Sequence, residues 1–305
     1  MILDKKEIQA VKSKKDASGI IISIIAYIFV GLFAICCLLP FLMIISASFS
    51  SETAITTDGM GIFPKNFTLE AYKILFRTPK YLVGSYVVTI GMTLGGTALG
   101  LFIISMTGYA LQRKDFPFRN GISFFIYFTT LFSAGLAPTY LWMVNTLGMK
   151  NNYLAVFLPL LMTPWLIFLM KNFIKSIPHE ITESGKIDGA NDFRIFLTLV
   201  LPNLKPALAT VGLFLALQYW NEWYNTMLYL SNKDYQPLQY YLYKIINQAQ
   251  ALRQSVAGNQ VSIENLPSNT LKMATAIVAT GPVILFYPFV QNYFIAGMTV
   301  GAVKG

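Results

Sequence analysis

The chain has 305 residues, of which 55% are apolar and only 12% charged, and the charges gather in short stretches between long apolar runs. A soluble domain of this size needs a charged exterior, so the composition is that of a helical bundle solvated by lipid. The net charge of +9 does not point to nucleic acid, because the basic residues sit in loops beside apolar runs rather than along one face; with one histidine and two adjacent cysteines, a catalytic zinc site with several His or Cys ligands is excluded.

Lys5, Lys6, Lys12, Lys14 and Lys15 precede the first apolar run, and Ser46-Ala47-Ser48 resembles a small-residue cleavage site. The run from Gly19 to about Ile45 is far longer than the roughly 7–15 residues of a signal peptide's apolar core, so it reads as a retained first span. Cys36 and Cys37 lie inside it. Neighbours on a helix point apart, so a disulfide between them is not expected. A bilayer crossing takes about 20 apolar residues. Six segments qualify: 20–46, 83–110, 121–144, 153–174, 206–230 and 271–297. In the second, Gly91, Gly95, Gly96 and Gly100 form two overlapping small-xxx-small pairs suited to close packing, within the bundle or against another subunit. Pro159 and Pro164 interrupt the fourth span, and Pro282 and Pro288 are expected to kink the sixth.

Basic residues set the orientation. One side collects the N-terminal lysines, Arg113, Lys114, Arg119, Lys171, Lys175, Lys186, Arg194, Lys205 and Lys304. The longer loops 47–80 and 231–270 on the other side have fewer. The first side therefore reads as cytoplasmic, with both termini on it. The organisation that follows is a cytoplasmic segment 1–19, a six-helix membrane domain 20–298 and a cytoplasmic tail 299–305.

The loop 175–205 is long for a turn between membrane helices. Ile177-Pro178 before His179-Glu180 has the form of a helix start. Ile181, Ser184, Gly185 and Asp188 lie one turn apart, and Gly189-Ala190 offers a stop or a bend. Phe193, Ile195, Phe196, Leu199, Val200 and Leu201 continue as an apolar stretch up to Pro202. The pattern predicts a short helix, a bend and a second helix near the membrane surface. Its apolar residues need cover from a partner, the bilayer interface or the chain's own bundle. Gly185-Lys186 is followed by Ile187 and lacks the upstream glycine of a phosphate-binding loop.

In the fifth span, Gln218, Asn221 or Glu222, and Asn225 recur every three or four residues, which places amides and a carboxylate on one helical face. Tyr219, Trp220, Trp223 and Tyr224 flank it. Polar groups inside a span usually face the bundle interior or a water-filled path, and amides beside aromatic rings suit a sugar. The competing reading is an aromatic belt at the outer membrane interface.

Glu183-Ser184-Gly185, Asp188-Gly189-Ala190, Phe193 and Leu201-Pro202 together resemble the cytoplasmic signature loop of ABC importer permeases. The family pattern there is Glu-Ala-Ala, a following glycine, and an apolar stretch ending in Leu-Pro; Ser184 and Gly185 stand at the alanines. Phe63 to Tyr72, Trp220-Asn221-Glu222-Trp223 and the end from Gln291 to Gly305 resemble the carbohydrate-uptake branch, in its maltose-type second permease. Phe132 to Leu141, with Pro237-Leu238-Gln239, resembles the subgroup importing complex oligosaccharides, aldouronates among them. The resemblance implies an all-α permease in a bacterial cell membrane, paired with a second, non-identical permease subunit. It implies two cytoplasmic ATPase subunits that hold the ATP and magnesium, and an extracytoplasmic sugar-binding protein. This chain would then carry no cofactor and no catalysis of its own. Residues 183–202 would receive the ATPase stroke, and the tail Gly301-Ala302-Val303-Lys304-Gly305 would touch the ATPase dimer. A secondary, ion-coupled transporter would need coupling carboxylates, whereas Glu222 is the only acid within a span. An enzyme acting on lipid-linked sugar would need an acid cluster that Glu183 and Asp188 alone do not make. A non-transporting scaffold would not need the polar face of span five.

Overall fold

The computed structural model describes residues 17–231, 234–257 and 268–302, excepting the side chains of 17, 18, 255–257, 289, 290 and 292–302. Every regular element among them is helical. They fall into two compact units, residues 17–72 with 268–277, and residues 73–257 with 278–302.

In the first unit, α1 (Ala17–Ser48) is a 32-residue helix. Its side chains from Ile20 to Leu38 are almost all exposed, as suits contact with lipid or a partner rather than a core of its own. Two short helices follow, α2 (Glu52–Asp58) and α3 (Glu70–Leu75), the second of which passes the boundary after Tyr72. Ser51 caps α2 by accepting from the Ala54 N–H at 3.2 Å. Phe49 stacks on Phe67 and on Tyr72, at 5.8 and 5.0 Å between ring centres. Glu52 points at the start of the last helix, Asn269–Ala302. Its carboxylate accepts from the Asn269 and Thr270 N–H groups at 3.0 Å and from the Thr270 hydroxyl at 3.1 Å. The first-turn amides of that helix thus find a buried anion.

The second unit is built on α4 (Pro79–Gln112), a 34-residue helix opened by proline at its first position. It packs on α8 (Pro164–Lys175) and α12 (Lys205–Trp220). Ile104, Leu166, Ile167, Met170, Val211 and Leu215 form the core between them. The glycine pairs divide. A Cβ at Gly96 would lie 2.3 Å from the Tyr219 ring, and one at Gly100 3.2 Å from the Leu161 carbonyl oxygen, so both serve the chain's own bundle. Gly91 meets nothing within 4 Å.

Among the described residues, four helices are long and apolar enough to cross a bilayer: Gly19–Ser48, Pro79–Gln112, Leu154–Lys175 and Asn269–Pro288. Counting each of two bent helix pairs as one span brings the number to six. The third segment is not one helix, as its composition suggests. It consists of α5 (Arg119–Leu131) followed by α6 (Leu136–Leu141), which a five-residue π-helical turn extends to Thr146; the two halves are bent by 115°. Gly135 sets the break with φ +84° and ψ 170°, a region only glycine occupies without strain. With 13 residues, α5 extends about 20 Å, short of the hydrocarbon thickness. In the fourth span, α7 (Leu154–Phe157) passes through a 3₁₀ turn containing Pro159 to an extended Thr163, and Pro164 restarts the helix. The sixth, α15 (Asn269–Ala302), runs as one helix through Pro282 and Pro288.

Candidate functional site

The segment after α8 folds as a short helix, a turn and a second helix, now α9 (His179–Ile187) and α10 (Asp192–Ile195). A π-helical stretch, Phe196–Val200, and α11 (Leu201–Asn203) complete it before α12. Pro178 precedes α9, and Glu180 lies in its first turn. His179 reaches Glu183 one turn on at 3.6 Å, both exposed. The helix closes with the Ala190 N–H donating to the Gly185 carbonyl and the Gly189 N–H to the Lys186 carbonyl, both at 3.0 Å. Gly189 takes φ +75° with nothing within 4 Å of a would-be Cβ. Glycine is required there by backbone conformation and not by crowding. Asn191 then caps α10, accepting from the Arg194 N–H at 2.9 Å.

Gly185 is the buried residue of α9. A Cβ there would lie 2.8 Å from Leu199 Cδ1 and 3.0 Å from Ile195 Cγ1, so glycine lets α9 sit against the apolar stretch. That stretch is covered by the chain itself. Ile195, Phe196 and Val200 are buried in the core, with the Phe196 ring 5.6 Å from Tyr109 and 6.2 Å from Phe102 of α4. Leu201 is partly buried and Pro202 exposed. The opposite side stays bare: Ile187 is 86% and Phe193 54% exposed, beside exposed Glu183, Ser184, Asp188 and Gly189.

Four charged residues, Asp115, Arg113, Lys186 and Asp192, whose pairing no sequence pattern indicated, join this segment to the end of α4. Asp115 accepts from Arg113 Nε at 2.8 Å and from Lys186 Nζ of α9 at 2.8 Å. Arg113 also pairs with Asp192 at the start of α10. The Arg113 guanidinium, and then Lys186, hold the Asp115 carboxyl well below the usual carboxylate range, and the bond to Asp115 raises Arg113 in turn. Asp115 and Lys186 stand 71 positions apart, and no sequence signal pairs them. A cleft of about 540 Å³ opens beside the network, between Gln112 and Lys114 on one side and Lys175, His179 and Glu180 on the other.

The polar face expected along 218–225 is divided by the structure. Helix α12 ends at Trp220, and α13 (Tyr224–Tyr229) begins after a three-residue break. Glu222 explains the break. Its carboxylate accepts from the Asn225 N–H at 2.6 Å and the Asn225 side-chain amide at 3.1 Å, a local bond that competes with helix continuation. Tyr219 is buried on Gly96 and donates to the Phe157 carbonyl at 2.8 Å. Trp220 Nε1 donates to the Ala279 carbonyl at 3.0 Å. Gln218 accepts from the Thr163 hydroxyl at 3.1 Å. Asn221 is exposed and accepts from Gln239 Nε2 at 3.4 Å, on α14 (Leu238–Ala257). Beside it the Trp223 ring lies 5.1 Å from Tyr243 of α14. Gln239, already part of the resemblance through Pro237-Leu238-Gln239, and Tyr243 sit on a loop helix that was not expected, although a Gln-Tyr-Tyr-Leu-Tyr run at 239–243 is visible in it. In the tail, Gly301 and Ala302 end α15, while Val303, Lys304 and Gly305, like the N-terminal lysines, lie outside the described residues.

Residues 124–300 match the family described as binding-protein-dependent transport system inner membrane component. The chain is 38% identical over 279 residues to the polygalacturonan/rhamnogalacturonan transport system permease protein YtcP of Bacillus subtilis (strain 168), covering 92% of this chain and 96% of that one. It is 37% identical to protein LplC of the same organism, over 94% and 96% of the two chains. Among solved structures it resembles a chain of a bacterial ABC transporter involved in the import of the acidic polysaccharide alginate, with a TM-score of 0.74, 32% identity, and 92% and 98% of the two chains covered.

Proposed function

The chain belongs to the family of binding-protein-dependent transport system inner membrane components, and from that premise we propose that it is one permease of an importer for acidic oligosaccharides. It is a membrane permease and not an ion-coupled transporter or an enzyme of lipid-linked sugars. The acidic substrate class is supported by two relatives, one handling polygalacturonan and rhamnogalacturonan and the other alginate. The pore is completed by a second, non-identical permease. Two ATPase subunits supply ATP hydrolysis with magnesium, and an extracytoplasmic binding protein delivers the sugar.

The observation that supports the ATPase contact is the two-sidedness of residues 183–202. Their inner side is seated in the core through Ile195, Phe196 and Val200, and their outer side presents Ile187 and Phe193 to solvent. An apolar tip on a rigid base is what a lever between two proteins requires. Glu183, Asp188 and Gly189 border the tip, and the tail 301–305 extends the contact. For the sugar we assign the exposed Asn221 to the substrate path, with Gln218 before the break in the helix and Asn225 after it. Tyr219, Trp220 and Glu222 act there as its frame.

The test is uptake by the complete importer in proteoliposomes. ATP-dependent accumulation of oligogalacturonides, with neutral oligosaccharides of equal length entering poorly, is the expected result. Equal uptake of both would remove the acidic assignment. Uptake driven by an ion gradient without ATPase subunits would remove the permease mechanism itself.

A further inference from the structure

We propose that Asp115 is the joint through which movement of the loop 183–202 reaches the second membrane span, with Lys186 and Arg113 as its two arms. This rests on the reading of that loop as the ATPase contact and goes beyond it by naming the transmitting element and its residues.

Helix α9 has few means of gripping the bundle. Gly185 is buried against Ile195 and Leu199, which belong to the same loop. Among the described hydrogen bonds and ion pairs, the tie from α9 toward a membrane span is Lys186 Nζ to Asp115, at 2.8 Å, in the turn that follows α4. Asp115 is in turn held by one edge of the Arg113 guanidinium, which donates from Nε and Nη2 to its two oxygens. Arg113 is the residue that ends α4: its N–H donates to the Tyr109 carbonyl, and its side chain lies over the Tyr109 ring at 5.9 Å. Its remaining amino group pairs with Asp192 of α10. One carboxylate therefore ties the tip of the lever to the end of the 34-residue helix on which α8 and α12 pack. A second carboxylate ties the lever's base to the same guanidinium. The bidentate Arg–carboxylate contact fixes direction as well as distance. A push on α9 then reaches the C-terminal end of α4 through two charge contacts on one guanidinium.

The ion pairs are partly exposed, with Asp115 and Lys186 side chains each 47% accessible. Pairs of this kind add little to folding stability. Loss of the joint should therefore uncouple the machine without dismantling it, and that separates a positioning role from a structural one. The experiment uses the reconstituted importer with its ATPase subunits and binding protein. Sugar transported per ATP hydrolysed is measured for wild type, Asp115→Asn, Lys186→Gln, Lys186→Arg and the Asp115→Asn/Lys186→Gln double variant. ATPase subunits should co-purify normally with all of them. The transport-to-ATP ratio should fall about fivefold or more in Asp115→Asn and Lys186→Gln. It should fall no further in the double variant and remain near wild type in Lys186→Arg. Normal ratios in both single variants would overturn the joint, as would strictly additive losses. If Asp115→Asn fails to assemble, Lys186→Gln, which alters only an exposed end group, decides alone. A parallel Ile187→Asp/Phe193→Asp variant tests the underlying reading. Normal ATPase recovery with that variant would mean the loop is not the contact, and the joint would fall with it. Lost recovery there, with unchanged ratios in Asp115→Asn, would leave the contact standing and remove the joint alone.

Discussion

Gly189 holds φ at +75° with open space where a side chain would go. A β-branched residue therefore meets a backbone penalty of about 1–3 kcal/mol and no clash. Gly189→Val is expected to leave the chain inserted and paired with its partner permease but to loosen the ATPase subunits, with Glu183→Ala milder; co-purification of the ATPase with each variant measures it. Normal recovery and normal uptake with Gly189→Val would contradict that. Asp115 makes a prediction about pH. It faces Arg113 and Lys186, with Asp192 on the far side of Arg113. Its carboxyl is lowered in the folded chain. Its contribution is thus complete above the ordinary carboxylate value of about 3.9 and is lost as pH falls below that, through the folded value. Between about pH 5 and pH 8 the effect of Asp115→Asn on Tm should be constant; an effect growing steadily across that window would show that the group titrates there. At this scale the turn at Gly189 was legible, because a glycine ending a helix before an apolar run has few other uses. The close seat of Gly185 was not, because glycine in the middle of a helical pattern looks only like a weak helix former.

Helices that read as uniform apolar runs turn out to be of two kinds. The second and sixth runs are single helices of 34 residues each. The third and fifth are interrupted, at Phe132–Gly135 and at Asn221–Trp223. Hydropathy measures transfer from water and is blind to backbone direction, so a bend of 115° leaves it unchanged. The polar periodicity at 218–225 failed for a related reason. It assumes a continuous helix, and Glu222 ends that helix by bonding the Asn225 amide. The last helix carries a prediction of its own at this scale. Glu52 is the buried acceptor for its first amides. Glu52→Ala should lower stability by about 1–3 kcal/mol, read as a lower Tm of the purified protein in detergent. An unchanged Tm would show that other groups satisfy that terminus.

The proposed orientation is testable on the whole molecule. In a background with Cys36 and Cys37 replaced by alanine, a cysteine at Asn66 should react with an impermeant thiol reagent added to intact cells, and one at His179 should not. The reverse pattern would invert the topology. Membrane residence, the helical class, the six apolar segments and the family all follow from the sequence by itself. They depend on composition and on local runs of residues, and the bilayer imposes the same demand on every span: satisfy each backbone group internally. The burial of Ile195 and Phe196 against α4, the Tyr219 ring on Gly96, and the meeting of Asp115 with Lys186 were decided only by the tertiary structure. Each is a contact between residues far apart in the chain, and in an apolar solvent nearly any helix face is an acceptable exterior, so hydropathy does not say which face turns inward; packing does.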